Sequence, residues 1–204
     1  PTLLNPGAML LWICELFFWL KGWKVNPVVP EAARNSVMLA MPHTSNWDFI
    51  LALAAMKKLG LNARFTIKKE HNRFPYGKMI EKAGALWIDR SPKEPGQNRR
   101  SMVEVMTEIG IEHKGEEFVL MITPEGTRSP NDHWRTGFYH VANTVGLPIA
   151  FAYLDYKKKE AGVGMSFMPT GNMKADMKIL IDFYSDVSPK YPEKYLEDVS
   201  HLEK

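Results

Sequence analysis

Apolar residues in this chain fall into two spacings. Unbroken runs include Val37-Met-Leu-Ala-Met41, Ala85-Leu-Trp-Ile88, Phe118-Val-Leu-Met-Ile122 and the stretch Pro148 to Leu154, with a shorter candidate at Arg64-Phe-Thr-Ile67. Runs of this length, bounded by Gly115 or Pro124, predict strands buried on both faces. Elsewhere the apolar positions sit three and four apart. Met102, Val105, Met106 and Ile109 predict an amphipathic helix over 97–112. Trp47 to Leu59, Tyr76 to Lys82 and Phe138 to Thr144 read as further helices, the last stopped by Gly146. Two late strands are expected near Met165–Met168 and Lys178–Phe183. Strands alternating with helices predict an α/β domain with a largely parallel central sheet flanked by helices. No repeat or linker divides it, and Asp89 to Gln97 is the most loop-like stretch. The expected organisation is one α/β domain over residues 25–204, preceded by a distinct apolar segment at 1–24.

That segment changes the picture. Gly7 to Leu20 carries Glu15 as its only charge. Its fourteen residues would span roughly 21 Å as a helix, short of the ~30 Å hydrocarbon core of a bilayer. A basic start and a small-residue cleavage site, the marks of a secretory signal, are missing. Trp12, Phe17, Phe18, Trp19 and Trp23, followed by Lys21 and Lys24, match a helix lying in a membrane interface. The competing reading is a helix buried against the core.

Of 204 residues, 45% are apolar and 24% charged, and the lone Cys14 excludes an intrachain disulfide. The net charge of +3 conceals an uneven distribution. Lys57 to Arg100 holds twelve Lys and Arg against four Asp and Glu. Such a basic middle suits an anionic partner, or is simply a solvated face.

In open α/β sheets, ligands collect beyond the carboxyl ends of strands. Three polar segments fall there: His43–Asp48, Asp89-Arg90 and Pro124–Ser129. Five residues on one helix rotate by ~500°, so His43 and Asp48 meet only if His43 precedes the helix and Asp48 sits in its first turns. Ser45 or Asn46 is the natural N-cap for that arrangement. A carboxylate on one imidazole nitrogen fixes the tautomer and leaves the other as a general base. An Asp that merely caps a helix beside a structural His is the plainer alternative. In Thr123-Pro-Glu-Gly-Thr-Arg-Ser129, Gly126 allows close backbone approach, and Arg128 with Thr127 and Ser129 suits a phosphate. Glu125 is placed to orient that cation, and Arg90 is a second phosphate candidate. His71, His113, His133 and His140 lack metal-ligand spacing. No Gly-x-Ser-x-Gly elbow supplies an enzyme nucleophile.

Taken in order, these stretches resemble the glycerolipid acyltransferases, the lysophosphatidic acid (1-acyl-glycerol-3-phosphate) acyltransferase superfamily. His43-Thr-Ser-Asn-Trp-Asp48 resembles its His-x4-Asp block. Lys68-Lys-Glu70, Pro75, Gly77, Gly84 and Ile88-Asp-Arg90 resemble its second block. Pro124-Glu-Gly-Thr-Arg-Ser129 is similar to its third, and Gly146-Leu-Pro-Ile149 to its fourth. The likeness runs from about Val37 to Tyr153. Three departures stand out: Pro42 where Asn is common, Trp134-Arg-Thr-Gly137 in place of a Lys-rich segment, and Phe151 in place of a second Pro. The resemblance implies transfer of an acyl group from acyl-CoA or acyl carrier protein to a lysolipid hydroxyl in phospholipid biosynthesis, with no metal or redox cofactor. It implies His43 as base with Asp48 as its partner, and Arg90, Glu125, Gly126, Thr127, Arg128 and Ser129 around the acceptor. Another lysophospholipid, a lyso-aminolipid or a glycolipid are alternative acceptors, and a silent lipid binder is the non-enzymatic rival. A nucleic-acid partner leaves the Pro124–Ser129 block unexplained. The expected location is peripheral on the cytoplasmic face of a membrane, or the cytoplasm.

Overall fold

A computed structural model of the chain describes residues 6–69, 76–91, 98–130 and 133–195. Its strands are β1 (Lys24–Val25), β2 (Ser36–Met41), β3 (Ala63–Lys68), β4 (Ala85–Ile88), β5 (Val119–Ile122), β6 (Ile149–Asp155) and β7 (Glu160–Phe167). The helices are α1 (Pro6–Leu20), α2 (Asn46–Lys58), α3 (Tyr76–Lys82), α4 (Met102–Glu112), α5 (Gly137–Val145) and α6 (Met173–Ser185). All strands join one sheet in the order β1-β7-β6-β2-β5-β3-β4. Every pairing is parallel except β6 with β7, which form an antiparallel hairpin. The α/β architecture with a mostly parallel sheet is therefore as expected.

Central strand β2 shows why its sequence is apolar throughout. Val37, Leu39 and Met41 enter one core with Leu120, Phe151 and side chains of α4, α5 and α6. Met38 enters the opposite core with Val119, Ala150 and Ala152, beneath α1 and α2. A strand covered on both faces has no polar side to alternate with.

Two boundaries and one element differ from the sequence-based expectation. Helix α4 starts at Met102, because Ser101 and Glu104 form a reciprocal capping box that defines its first turn. The strand expected near Met165 is the end of the longer β7. The strand expected at Lys178–Phe183 is instead the middle of α6, capped by the Asn172 side chain, which accepts the Ala175 N–H. Its buried positions Met177, Leu180 and Tyr184 lie three and four apart. Lys178-Ile-Leu-Ile-Asp-Phe183 contains enough β-branched and aromatic residues to look like a strand, but helical burial prevails. The second-block residues Glu70 and Pro75, and Pro92 to Gln97 of the expected loop, lie outside the described residues.

The helical assignment sets a test, since a strand would place Leu180 and Ile179 on opposite faces of a covered sheet. In α6 Leu180 is 0% and Ile179 37% exposed. Leu180→Ala is expected to cost about 2–5 kcal/mol in denaturant unfolding, and Ile179→Ala well under ~1 kcal/mol.

Candidate active site

The carboxyl ends of β2, β3, β4, β5 and β6 share one edge of the sheet, and β2 lies between β5 and β6. The three residues after Pro42 are therefore flanked by the loops that leave β5 and β6. Ser45, extended at φ −144° and ψ 151°, caps α2. Its hydroxyl accepts the Trp47 N–H at 3.2 Å, and Asp48 Oδ2 accepts the Ser45 N–H at 2.7 Å. His43 sits ahead of the helix, and its Nδ1 approaches the same Oδ2 to 3.4 Å. Asp48 is thus both cap and imidazole partner, so the two readings of the pair are one geometry. It is 3% exposed, in the first turn of a helix whose dipole favours a negative charge. Its Oδ1 accepts the Tyr156 hydroxyl. Burial first, and the bond to Asp48 next, push the Tyr156 phenol far above its ordinary range, so it stays a donor.

The Glu125 carboxyl turns inward rather than toward Arg128. Its Oε1 accepts the His43 N–H at 2.9 Å across 82 residues of sequence. At 5% exposure, burial raises it from 4.5 to about 8, with the Asp48 charge adding to the rise and the His43 N–H opposing it. Glu125 is therefore mostly neutral at pH 7, and it joins the β5 loop to the β2 loop. The third member of this junction is Thr44, whose hydroxyl accepts the Tyr191 N–H at 3.3 Å.

Gly126 holds φ +65°, and a Cβ there would stand 3.0 Å from Arg135 Nε. The positive φ calls for glycine, while the flexible Arg135 side chain is free to give way. The Gly126 N–H donates to Thr123 C=O at 3.0 Å, closing a turn. The Gly126 amide is thereby committed within the turn. Thr127, Arg128 and Ser129 are exposed on the outer side of this turn. The Thr127 hydroxyl accepts the Ser129 N–H at 3.2 Å. Arg135, which the Trp134–Gly137 segment brought in without a role, packs its guanidinium on Gly126 while its N–H donates to Pro124 C=O.

Arg90 stands apart. It follows edge strand β4, three strands and so roughly 14 Å from β2 at the usual strand spacing. Its Nε donates to Arg100 C=O at 2.7 Å. Arg100 in turn donates to Ser91 and Asp89 carbonyls and pairs with Glu108 at 2.8 Å. The Asp89 carboxyl is held far below its usual range, chiefly by Lys69 at 2.7 Å.

Tyr156 was invisible to motif reading, since it lies 108 residues from Asp48. The available signal was positional: it follows the end of the β6 run, next to β2.

A carboxyl whose folded-state pKa is raised destabilises the fold as pH climbs from its unfolded value to its folded one. Glu125→Gln keeps an acceptor for the His43 N–H but cannot ionise. Its stability relative to the parent is expected to grow by about 2–4 kcal/mol between pH 4.5 and 8, read by urea unfolding at stepped pH. Parallel curves for the two proteins over that window would contradict a buried neutral Glu125.

Comparison with known proteins bears on family and fold. A family model, Acyltransferase, matches residues 26–153. That span includes His43, Asp48, Arg90 and the Glu125–Ser129 turn, and ends before Tyr156. Among solved structures, the 1-acyl-sn-glycerophosphate (LPA) acyltransferase PlsC of Thermotoga maritima is similar in fold. Its TM-score is 0.54 at 14% identity, with 86% of this chain and 75% of that one covered. No curated protein matches the chain.

Proposed function

The chain belongs to the acyltransferase family, and on that premise we propose that it moves a fatty acyl group from a thioester to a lysolipid hydroxyl. The donor is acyl-CoA or acyl carrier protein, and the first-ranked acceptor is 1-acyl-glycerol-3-phosphate, in phospholipid biosynthesis. The observation that carries this reading is the His43–Asp48 pair, held at the end of a central strand by a capping box.

With Nδ1 turned to Asp48, Nε2 is left to take the proton of the acceptor hydroxyl. As it does so the oxygen attacks the thioester carbonyl, forming the new C–O bond. The C–S bond then breaks, and the imidazolium returns its proton to the departing thiolate. Ester and free thiol result, with no net proton change. Asp48 holds the imidazole tautomer and stabilises the transient imidazolium. Arg128, with the Thr127 and Ser129 hydroxyls, is assigned to the acceptor phosphate. Arg135 adds a second guanidinium beside Gly126, and Arg90 serves from the outer rim.

The acceptor is a lipid, and α1 has the surface to meet one. No described helix is long and apolar enough to cross a membrane. Phe18 and Trp23, expected at the interface, are instead buried with Cys14 against α2. Met9, Trp12, Ile13, Leu16, Trp19 and Leu20 form the opposite stripe and are 39–70% exposed. At its margin Phe17 stacks on Trp47 at 4.8 Å, with Lys21 over Phe17 and Lys190 over Trp47. Aromatic rings fringed by lysines suit the headgroup boundary. This stripe supports a peripheral seat on a bilayer; the cytoplasmic face, or the cytoplasm, is the location that goes with the proposed activity.

Three outcomes test the reading. His43→Ala is expected to cut thiol release from acyl-CoA or acyl carrier protein by about 10²–10⁴-fold. Over a panel of lysolipids, Arg128→Ala is expected to raise the KM for phosphate-bearing acceptors about 10–100-fold, leaving the donor KM unchanged. A Trp12→Glu/Trp19→Glu variant is expected to lose at least ~10-fold in partitioning to phosphatidylglycerol-containing vesicles, measured by co-sedimentation. Full activity in His43→Ala would falsify the catalytic assignment.

A further inference from the structure

We propose that Tyr156 is a positioning residue for acyl transfer, acting through Asp48. This rests on the reading of His43 as base. The capping box accounts for only one oxygen of the Asp48 carboxylate, since Oδ2 takes the Ser45 N–H and faces His43 Nδ1. The other oxygen is buried, and a buried carboxylate oxygen needs a donor of its own. Tyr156 is that donor, and it comes from the turn that follows the neighbouring strand β6 rather than from α2.

The torsion that turns a carboxylate about its Cβ–Cγ bond is soft. A capping bond on one oxygen tethers the group, but a second donor on the other is needed to fix its plane. Tyr156 is itself held from three directions. Its N–H donates to Ser188 C=O at 2.9 Å. The Trp23 ring meets it edge-on at 4.9 Å and 87°. The Ser45 hydroxyl stands beside its phenol. A residue needed only for packing would have no use for a hydroxyl aimed at a buried charge. The hydroxyl sets the angle at which Oδ2 meets the imidazole, and with it the fraction of His43 in the Nδ1–H tautomer.

The test is a double-mutant cycle on the full chain with Tyr156→Phe, Asp48→Asn and the pair, the phenylalanine keeping the ring against Trp23. Tyr156→Phe is expected to lower kcat for thiol release about 10-fold, with both KM values within about twofold of the parent. If Tyr156 works through Asp48, the pair falls no further than Asp48→Asn alone, within about twofold. Losses that multiply, or an unchanged kcat in Tyr156→Phe, overturn the proposal. A readout free of turnover separates this failure from failure of the catalytic reading. The ¹⁵N shifts of the His43 ring, assigned by their loss in His43→Ala, are expected to move away from the Nδ1–H tautomer in Tyr156→Phe. They are expected not to move further when that change is added to Asp48→Asn. Parent-like ring shifts in Tyr156→Phe refute the proposal even if no lysolipid proves to be a substrate.

Discussion

The site depends on the place of β2 between two parallel neighbours. A central strand covered on both faces has no room to slip, because a one-residue shift would carry Val37, Leu39 and Met41 out of their core and Met38 out of the other. Registers with β5 and β6 are correspondingly long, pairing Leu39 with Ile122 and Met41 with Tyr153. That rigidity delivers three loops to one place. From β5 comes Glu125, bonded to the His43 amide; from β6 comes Tyr156, bonded to Asp48. The imidazole is positioned through its backbone by one neighbour and through its carboxylate partner by the other.

Economy of local structure runs through the same few residues. The Ser45 and Asp48 pair does what such pairs do at many helix starts, satisfying orphan amides of the first turn. Here the capping carboxylate also faces an imidazole. Helix formation and presentation of the acid thus draw on a single interaction, and loss of Asp48 removes both. The spacing of four between His and Asp follows from this, since the histidine must be outside the helix and the carboxylate at its third position.

Much of this was legible in the chain. Continuous apolar runs marked the buried strands, and the His43–Asp48 rotation argument put the histidine in the loop and the cap at Ser45 or Asn46, of which the structure uses Ser45. Legibility failed where burial came from distant sequence. Glu125 beside Arg128 reads locally as an ion pair, yet its partner is an amide 82 positions earlier. Phe18 and Trp23 are as apolar as Trp12 and Trp19, and only the packing of α1 on α2 divides them into buried and exposed. Lys178–Phe183 has a strand-like composition, and its helix declares itself through Met177, Leu180 and Tyr184 together. Tyr156 belongs to no local pattern at all.

The proton retained by Glu125 carries an electrostatic consequence. On paper, Glu125 and Arg128 cancel. With a carboxyl shifted to about 8, the acid is mostly uncharged at neutral pH, so the turn keeps most of its arginine's positive charge. An anion drifting toward this edge of the sheet meets a cation that its sequence neighbour does not mask.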